Sequence, residues 1–93
     1  MNERHEFQGF YIPERMMGGI KRYITHGIPP GSFLTAIICN NLTEAVARAD
    51  DENMQNLPAY VNYFYWEVPG NAWGSKEKMD AWMAWKERER LEI

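Results

Sequence analysis

Two adjacent prolines, Pro29 and Pro30, bracketed by Gly27 and Gly31, forbid any helix from running through this point. Proline lacks the amide hydrogen, clashes with the carbonyl one turn back, and pushes the residue before it out of the helical region. The 93-residue chain is thus divided near its first third by "HGIPPGSFL" (26–34). One breaker suffices for an ordinary turn, so this stretch either stiffens a tight connection or aims the following helix start at something.

Both flanks read as helix. Pro13 and Glu14 make a good opening, since proline tolerates the first helical position and glutamate suits its positive end. Met16, Ile20, Tyr23, Ile24 and Gly27 follow at helical spacing. Gly18 and Gly19 weaken this helix by about 1 kcal/mol each relative to alanine, which implies that something packs close to their backbone. Beyond the prolines, "GSFLTAIICNNLTEAVARAD" predicts one long helix capped by Ser32. Its stripe is Leu34, Ile38, Leu42, Ala45 and Ala49, widened by Phe33, Ile37 and Val46. Asp50 or Asp51 caps a third helix carrying Met54, Leu57, Val61, Phe64 and Val68, with Pro58 marking a kink or a true start near Asn56. "VPGNAWGS" (68–75) is a loop whose Ser75 caps a last helix, where Met79, Trp82, Met83 and Trp85 cover more than one face. Residues 1–12 read as an extended N-terminal arm, with room for a turn, delivering Phe10, Tyr11 and Ile12. The alternating charges of 86–93 read as a solvated or frayed tail. The expected architecture is a single all-α domain over 1–93. In it a short N-terminal helix, two longer antiparallel helices and a C-terminal helix form a compact bundle.

Four Trp, five Tyr, four Phe and six Met within a 45% hydrophobic chain exceed what so small a globule hides. These types are enriched at subunit contacts, so a homo-oligomer is expected. Ten basic side chains face thirteen acidic ones, and residues 1–31 set Arg4, Arg15, Lys21 and Arg22 against Glu3, Glu6 and Glu14. That near-balance argues against duplex nucleic acid and leaves room for a small anion held by two or three donors. The single Cys39 excludes an internal disulfide and fits a reducing compartment. With no apolar run of about 18 residues and no leader pattern, a soluble cytoplasmic protein is expected and no membrane partner.

Chemistry of the bond-breaking kind has little support in the residues. His5, His26 and Cys39 lack metal-ligand spacing, so neither a metal nor another cofactor is expected. Cys39 lies on an apolar stripe, where a thiol is inert. Asp50, Asp51 and Glu52 suit helix capping better than acid–base work. The chain is therefore expected not to be an enzyme.

An anion site at the turn has a physical rationale. A helix start presents unpaired amides and partial positive charge, Gly31 admits close approach, and Ser32 adds a hydroxyl. Arg15, Gly19, Arg22 and His26 share the polar face of the first helix, with Lys21 beside them. Spacing alone favours a plain turn, because helix starts far outnumber phosphate sites. Tyr11 can stack on a base, or serve as a core or interface aromatic.

The run from Gly9 to Trp85, with "RYI…GI.PGSFL" and "EA..RAD..N" as its most specific pieces, resembles the small phage anti-CBASS cyclic-nucleotide sponges. The resemblance implies a helical homohexamer in the host cytoplasm that catalyses nothing. Such a protein sequesters the cyclic dinucleotide and cyclic trinucleotide messengers of bacterial antiphage defence. It implies ligand pockets between subunits, with Tyr11 as the tyrosine stacked on a base and His26 where a cation belongs. Histidine is mostly neutral at pH 7, so Arg22 or Lys21 supplies the charge in its place. Glu67 falls in the region of the larger-ligand site and is a poor anion partner. The resemblance turns the reading of Gly31 and Ser32 from plain turn to phosphate cradle, and Tyr11→Ala is expected to weaken binding with the fold intact. Two rivals differ in kind. One is an adaptor gripping a host protein through Trp82 and Trp85. The other is a phosphohydrolase with a divalent metal on Asp50, Asp51 or Glu52.

Overall fold

A computed structural model of the chain describes residues 5–92. Six helices and one two-stranded hairpin order as β1 (Glu6–Phe7), β2 (Phe10–Tyr11), α1 (Glu14–His26), α2 (Ser32–Ile38), α3 (Leu42–Arg48), α4 (Asp51–Gln55), α5 (Leu57–Glu67) and α6 (Lys76–Leu91) among the described residues. The mostly helical expectation holds, with three corrections.

The arm does turn, and the turn closes an antiparallel hairpin that was not expected. Gln8 and Gly9 both have positive φ, 50° and 85°. Two such residues make the tight turn whose twist matches a hairpin. Glu6 therefore pairs with Tyr11 and Phe7 with Phe10, and the Ile12 amide donates to the His5 carbonyl at 2.8 Å.

The long helix predicted after Pro30 is two short ones. Asn40 turns back with φ 58°, and Asn41 Oδ1 accepts the Glu44 amide to start α3 afresh. Because the axis changes direction there, the single stripe does not survive. Phe33, Leu34, Ala36, Ile37 and Ile38 are buried on α2, whereas Leu42 and Val46 face solvent on α3. Ser32 is the first helical residue, not the cap. Gly31 takes the cap position with no side-chain bond, and the Thr35 hydroxyl pins the turn by donating to the Pro30 carbonyl at 3.3 Å.

The C-terminal tail is solvated, as its alternating charges imply, and it is helical through Leu91 instead of frayed. Elsewhere the capping logic carries over. Gly27 ends α1 in the left-handed region and its amide donates to Arg22 and Tyr23 carbonyls. Asp50 caps α4 through the Asn53 amide, Pro58 sits in the first turn of α5, and Ser75 caps α6 through the Lys78 amide.

Ile12, Ile20, Tyr23, Ile38, Tyr60 and Phe64 form the fully buried heart of the core. Each such side chain contributes about 1.5–3 kcal/mol through burial. Polar atoms inside are paired. The Tyr23 hydroxyl donates to the Ala72 carbonyl at 2.7 Å, and the Trp82 indole donates to the Tyr23 carbonyl at 3.2 Å. The body measures 41 × 33 × 20 Å. Its thin dimension is two helix diameters of ~10 Å, so this core is covered by one layer on each side.

Candidate functional site

The glycine pair in α1 has a concrete role. A Cβ on Gly18 would stand 3.1 Å from Arg22 Nη1, and one on Gly19 would stand 3.9 Å from Arg22 Nη2, 4.0 Å from Pro30 Cβ and 3.5 Å from Leu34 Cδ1. Bare backbone at 18 and 19 thus makes a shelf on which the Arg22 guanidinium lies, next to the proline turn. Gly31 and Ser32 are exposed, and a Cβ at Gly31 would meet nothing within 4 Å. Lys21 is exposed on the adjoining side of α1, and neither Lys21 nor Arg22 forms an ion pair among the described residues. The Arg22 guanidinium and Pro30 thus meet at the shelf, Lys21 is its neighbour along α1, and exposed Gly31 and Ser32 follow Pro30 directly in the chain.

Pro30 and Ser32 also border a groove of about 530 Å³. Thr35, Asn41, Glu44, Arg48 and Lys76 line it with Ser32. Sequence reasoning missed Thr35, Arg48 and Lys76, because the kink at Asn40 and the docking of α6 bring them there from three helices. Both cations are already engaged. Arg48 Nε lies 3.5 Å from Glu44 and Lys76 Nζ 2.8 Å from Asp80. Cys39, beside the same groove, has its thiol pushed above the usual range by burial.

The remaining sequence-predicted residues lie elsewhere. His26 closes α1 with an exposed ring, and its carbonyl accepts a bond from Arg90 Nη1. Tyr11 precedes the other end of α1, so the ~20 Å length of a 13-residue helix stands between it and His26. One copy of the chain does not bring Tyr11 and His26 into one pocket.

Tyr11 belongs instead to a polar knot that ties the hairpin to α1, α4 and α5. Its hydroxyl donates to Glu52 Oε2 at 2.6 Å and its amide to Asn56 Oδ1 at 2.9 Å. Arg15 Nη2 bridges Asp50 Oδ2 and Glu52 Oε1, both at 3.0 Å. Inside, the Tyr60 hydroxyl donates to buried Asn53 Oδ1 at 2.6 Å. The Asn53 amide, then Arg15, holds the Asp50 carboxyl below its ordinary range. The Tyr11 hydroxyl, then Arg15, does the same for Glu52. Asp50 and Asn53 of the "RAD..N" motif thus belong to a structural clasp, while its Arg48 pairs with Glu44. Arg15, expected among the cations near the turn, is spent on the clasp. Asp50 and Glu52 are held by Arg15, and no cluster of three or more His, Cys, Asp or Glu able to hold a metal occurs among the described residues.

Comparison with protein-family models, curated proteins and solved structures finds no match. No helix among the described residues is long and apolar enough to cross a membrane.

Proposed function

We propose that this chain sequesters cyclic oligonucleotides without altering them, cyclic dinucleotides foremost and cyclic trinucleotides as a further class, and that it does so as a homo-oligomer, hexameric by the sponge resemblance. The observation that carries this reading is the Arg22 guanidinium. It rests unpaired on the Gly18–Gly19 shelf, which Pro30 borders, and exposed Gly31 and Ser32 are the next residues along the chain. A guanidinium presents a planar fork of donors that matches two phosphate oxygens. Gly31 lets a phosphodiester approach the backbone, and Ser32 offers a hydroxyl donor. Lys21 adds a second charge for the second phosphate of a cyclic ligand.

Tyr11 takes part through a neighbouring copy. Its hydroxyl is anchored on Glu52, so its half-buried ring is held in one orientation, as a stacking platform requires. Anchoring also changes what a test must use. Tyr11→Ala removes a bond of the clasp along with the ring, whereas Tyr11→Phe keeps the ring.

Isothermal calorimetry with several cyclic dinucleotides tests the proposal on wild type and Arg22→Ala. Charge-assisted bonds of this kind contribute about 1.5–3 kcal/mol, so Arg22→Ala is expected to weaken binding by roughly 10–150-fold. Its melting temperature is expected to stay unchanged, since Arg22 is exposed and unpaired. Heat signals identical in both proteins remove Arg22 from the site. A recovered ligand that has been hydrolysed refutes sequestration.

A further inference from the structure

Helix α5 carries an apolar face that no described residue covers. Leu57, Val61 and Tyr65 recur every four positions, with Trp66 alongside, and Val61, Tyr65 and Trp66 are 55%, 66% and 71% exposed. Phe7 of the hairpin borders one shallow groove along this face, of about 490 Å³. A second groove shares Leu57 and Val61 and extends the surface to Leu42 of α3, itself 70% exposed. Glu67, the last residue, is the one charge on α5.

We propose that this face receives a second copy of the same chain, packed α5 against α5 about a two-fold axis. Area is the first argument. A buried aromatic side chain covers ~150–250 Å², and an aliphatic one ~60–120 Å² at ~25 cal/mol/Å². At the exposures given, Tyr65, Trp66, Val61 and Leu42 leave about 400 Å² of apolar surface open. A stable interface buries about 800 Å² per partner, of which roughly 60% is non-polar. Four side chains therefore supply most of the apolar area that such a dimer needs.

The occupant follows from the chemistry of the face. Partners that come and go use surfaces about as polar as the rest of the protein, whereas permanent homodimer contacts are more apolar and short of charge. A two-fold contact sets the same patch against itself, so an uncharged stripe meets an uncharged stripe with no charge left unpaired. Tyr65 and Trp66 are already braced edge to face, 4.9 Å between ring centroids, as rigid anchors at the centre of a contact. The thin body adds the motive, because a 20 Å slab gains a third layer by pairing. Trp82 and Trp85, the surface expected for an adaptor, are not equivalent. Trp82 is 6% exposed, and the Lys86 ammonium lies over both rings.

This inference names the face behind the homo-oligomer of the proposed function but does not depend on any ligand. Sedimentation equilibrium of the full chain reads it directly, with Trp66→Glu, Val61→Asp and a control, Arg88→Ala on α6, each checked by far-UV circular dichroism. Wild type and control are expected at two or more times the 10.9 kDa chain mass. Both α5 variants are expected at half the wild-type mass or less with helical spectra retained, a rise in the dissociation constant of this contact of about 30-fold or more. A monomeric wild type overturns the proposal and leaves the face to a different protein. Variants that stay as associated as wild type overturn it too, and in that case nucleotide heats remain an independent question.

Discussion

Gly27→Ala is the substitution whose cost the structure sets most tightly. Gly27 ends α1 at φ 70°, ψ 24°, where a side-chain-bearing residue is disfavoured by about 1–2 kcal/mol. The added Cβ would also stand 2.6 Å from Lys86 Cβ and 3.3 Å from Met83 Cα. Neither atom is the end of a flexible side chain, so no rotamer change relieves the contact and α6 must move away from α1. Movement there strains the Trp82 indole bond to the Tyr23 carbonyl and the Arg90 bond to the His26 carbonyl. Overpacking of this kind costs about 1–3 kcal/mol. The combined loss is about 2–5 kcal/mol, or roughly 10–40 °C in melting temperature for a domain this size. Thermal denaturation followed by circular dichroism measures it. Gly31→Ala is the control, since φ there is -67° and nothing lies within 4 Å of the added carbon. It is expected to shift the midpoint by no more than a few degrees. A Gly27→Ala protein that melts within about 3 °C of wild type refutes the packing of α6 on the end of α1.

Further expectations concern the clasp. Asp50 and Glu52 are both held below their ordinary ranges in the folded chain, so the unfolded chain takes up their protons first. Their stabilisation is therefore complete above the unfolded carboxylate values near pH 4 and is lost as pH falls through the lower folded values. Thermal midpoints should decline below about pH 4, and Glu52→Gln should flatten part of that decline; an unchanged profile contradicts the clasp. Tyr60→Phe leaves buried Asn53 Oδ1 without its 2.6 Å donor, a loss of about 1–3 kcal/mol by urea denaturation. A variant as stable as wild type would show that Tyr60 packs without bonding.

Much of this architecture was legible because local chemistry and tertiary packing agree. Pro13, Gly27, Asp50, Pro58 and Ser75 mark helix ends in the sequence and in the structure alike. The break at Asn40 was hidden by an apolar stripe that stays in helical register across it. The signal was present in Asn41-Leu-Thr-Glu44, a cap followed by an acidic third residue, which starts a helix even inside an apolar run. The hairpin escaped notice because Gln8-Gly9 is a less familiar turn pair than Asn-Gly.

Spacing singled out Arg22, Lys21, Gly31 and Ser32; the fold leaves each of them exposed and sets Arg22 on the glycine shelf that Pro30 borders. Periodicity had no access to the competition for Arg15. Asp50 and Glu52 arrive from α4, some 35 residues away, and claim it. Exposure of α5 was equally invisible, since an apolar stripe reads the same whether its own chain or another covers it.

Native mass spectrometry of the wild-type chain with a panel of cyclic dinucleotides and cyclic trinucleotides tests the central claim most directly, since one spectrum reports stoichiometry and ligand together. Expected is an oligomer carrying at least one cyclic dinucleotide of unaltered mass, with the bound peaks strongly reduced in Arg22→Ala. A folded wild-type chain that binds no member of the panel contradicts the account.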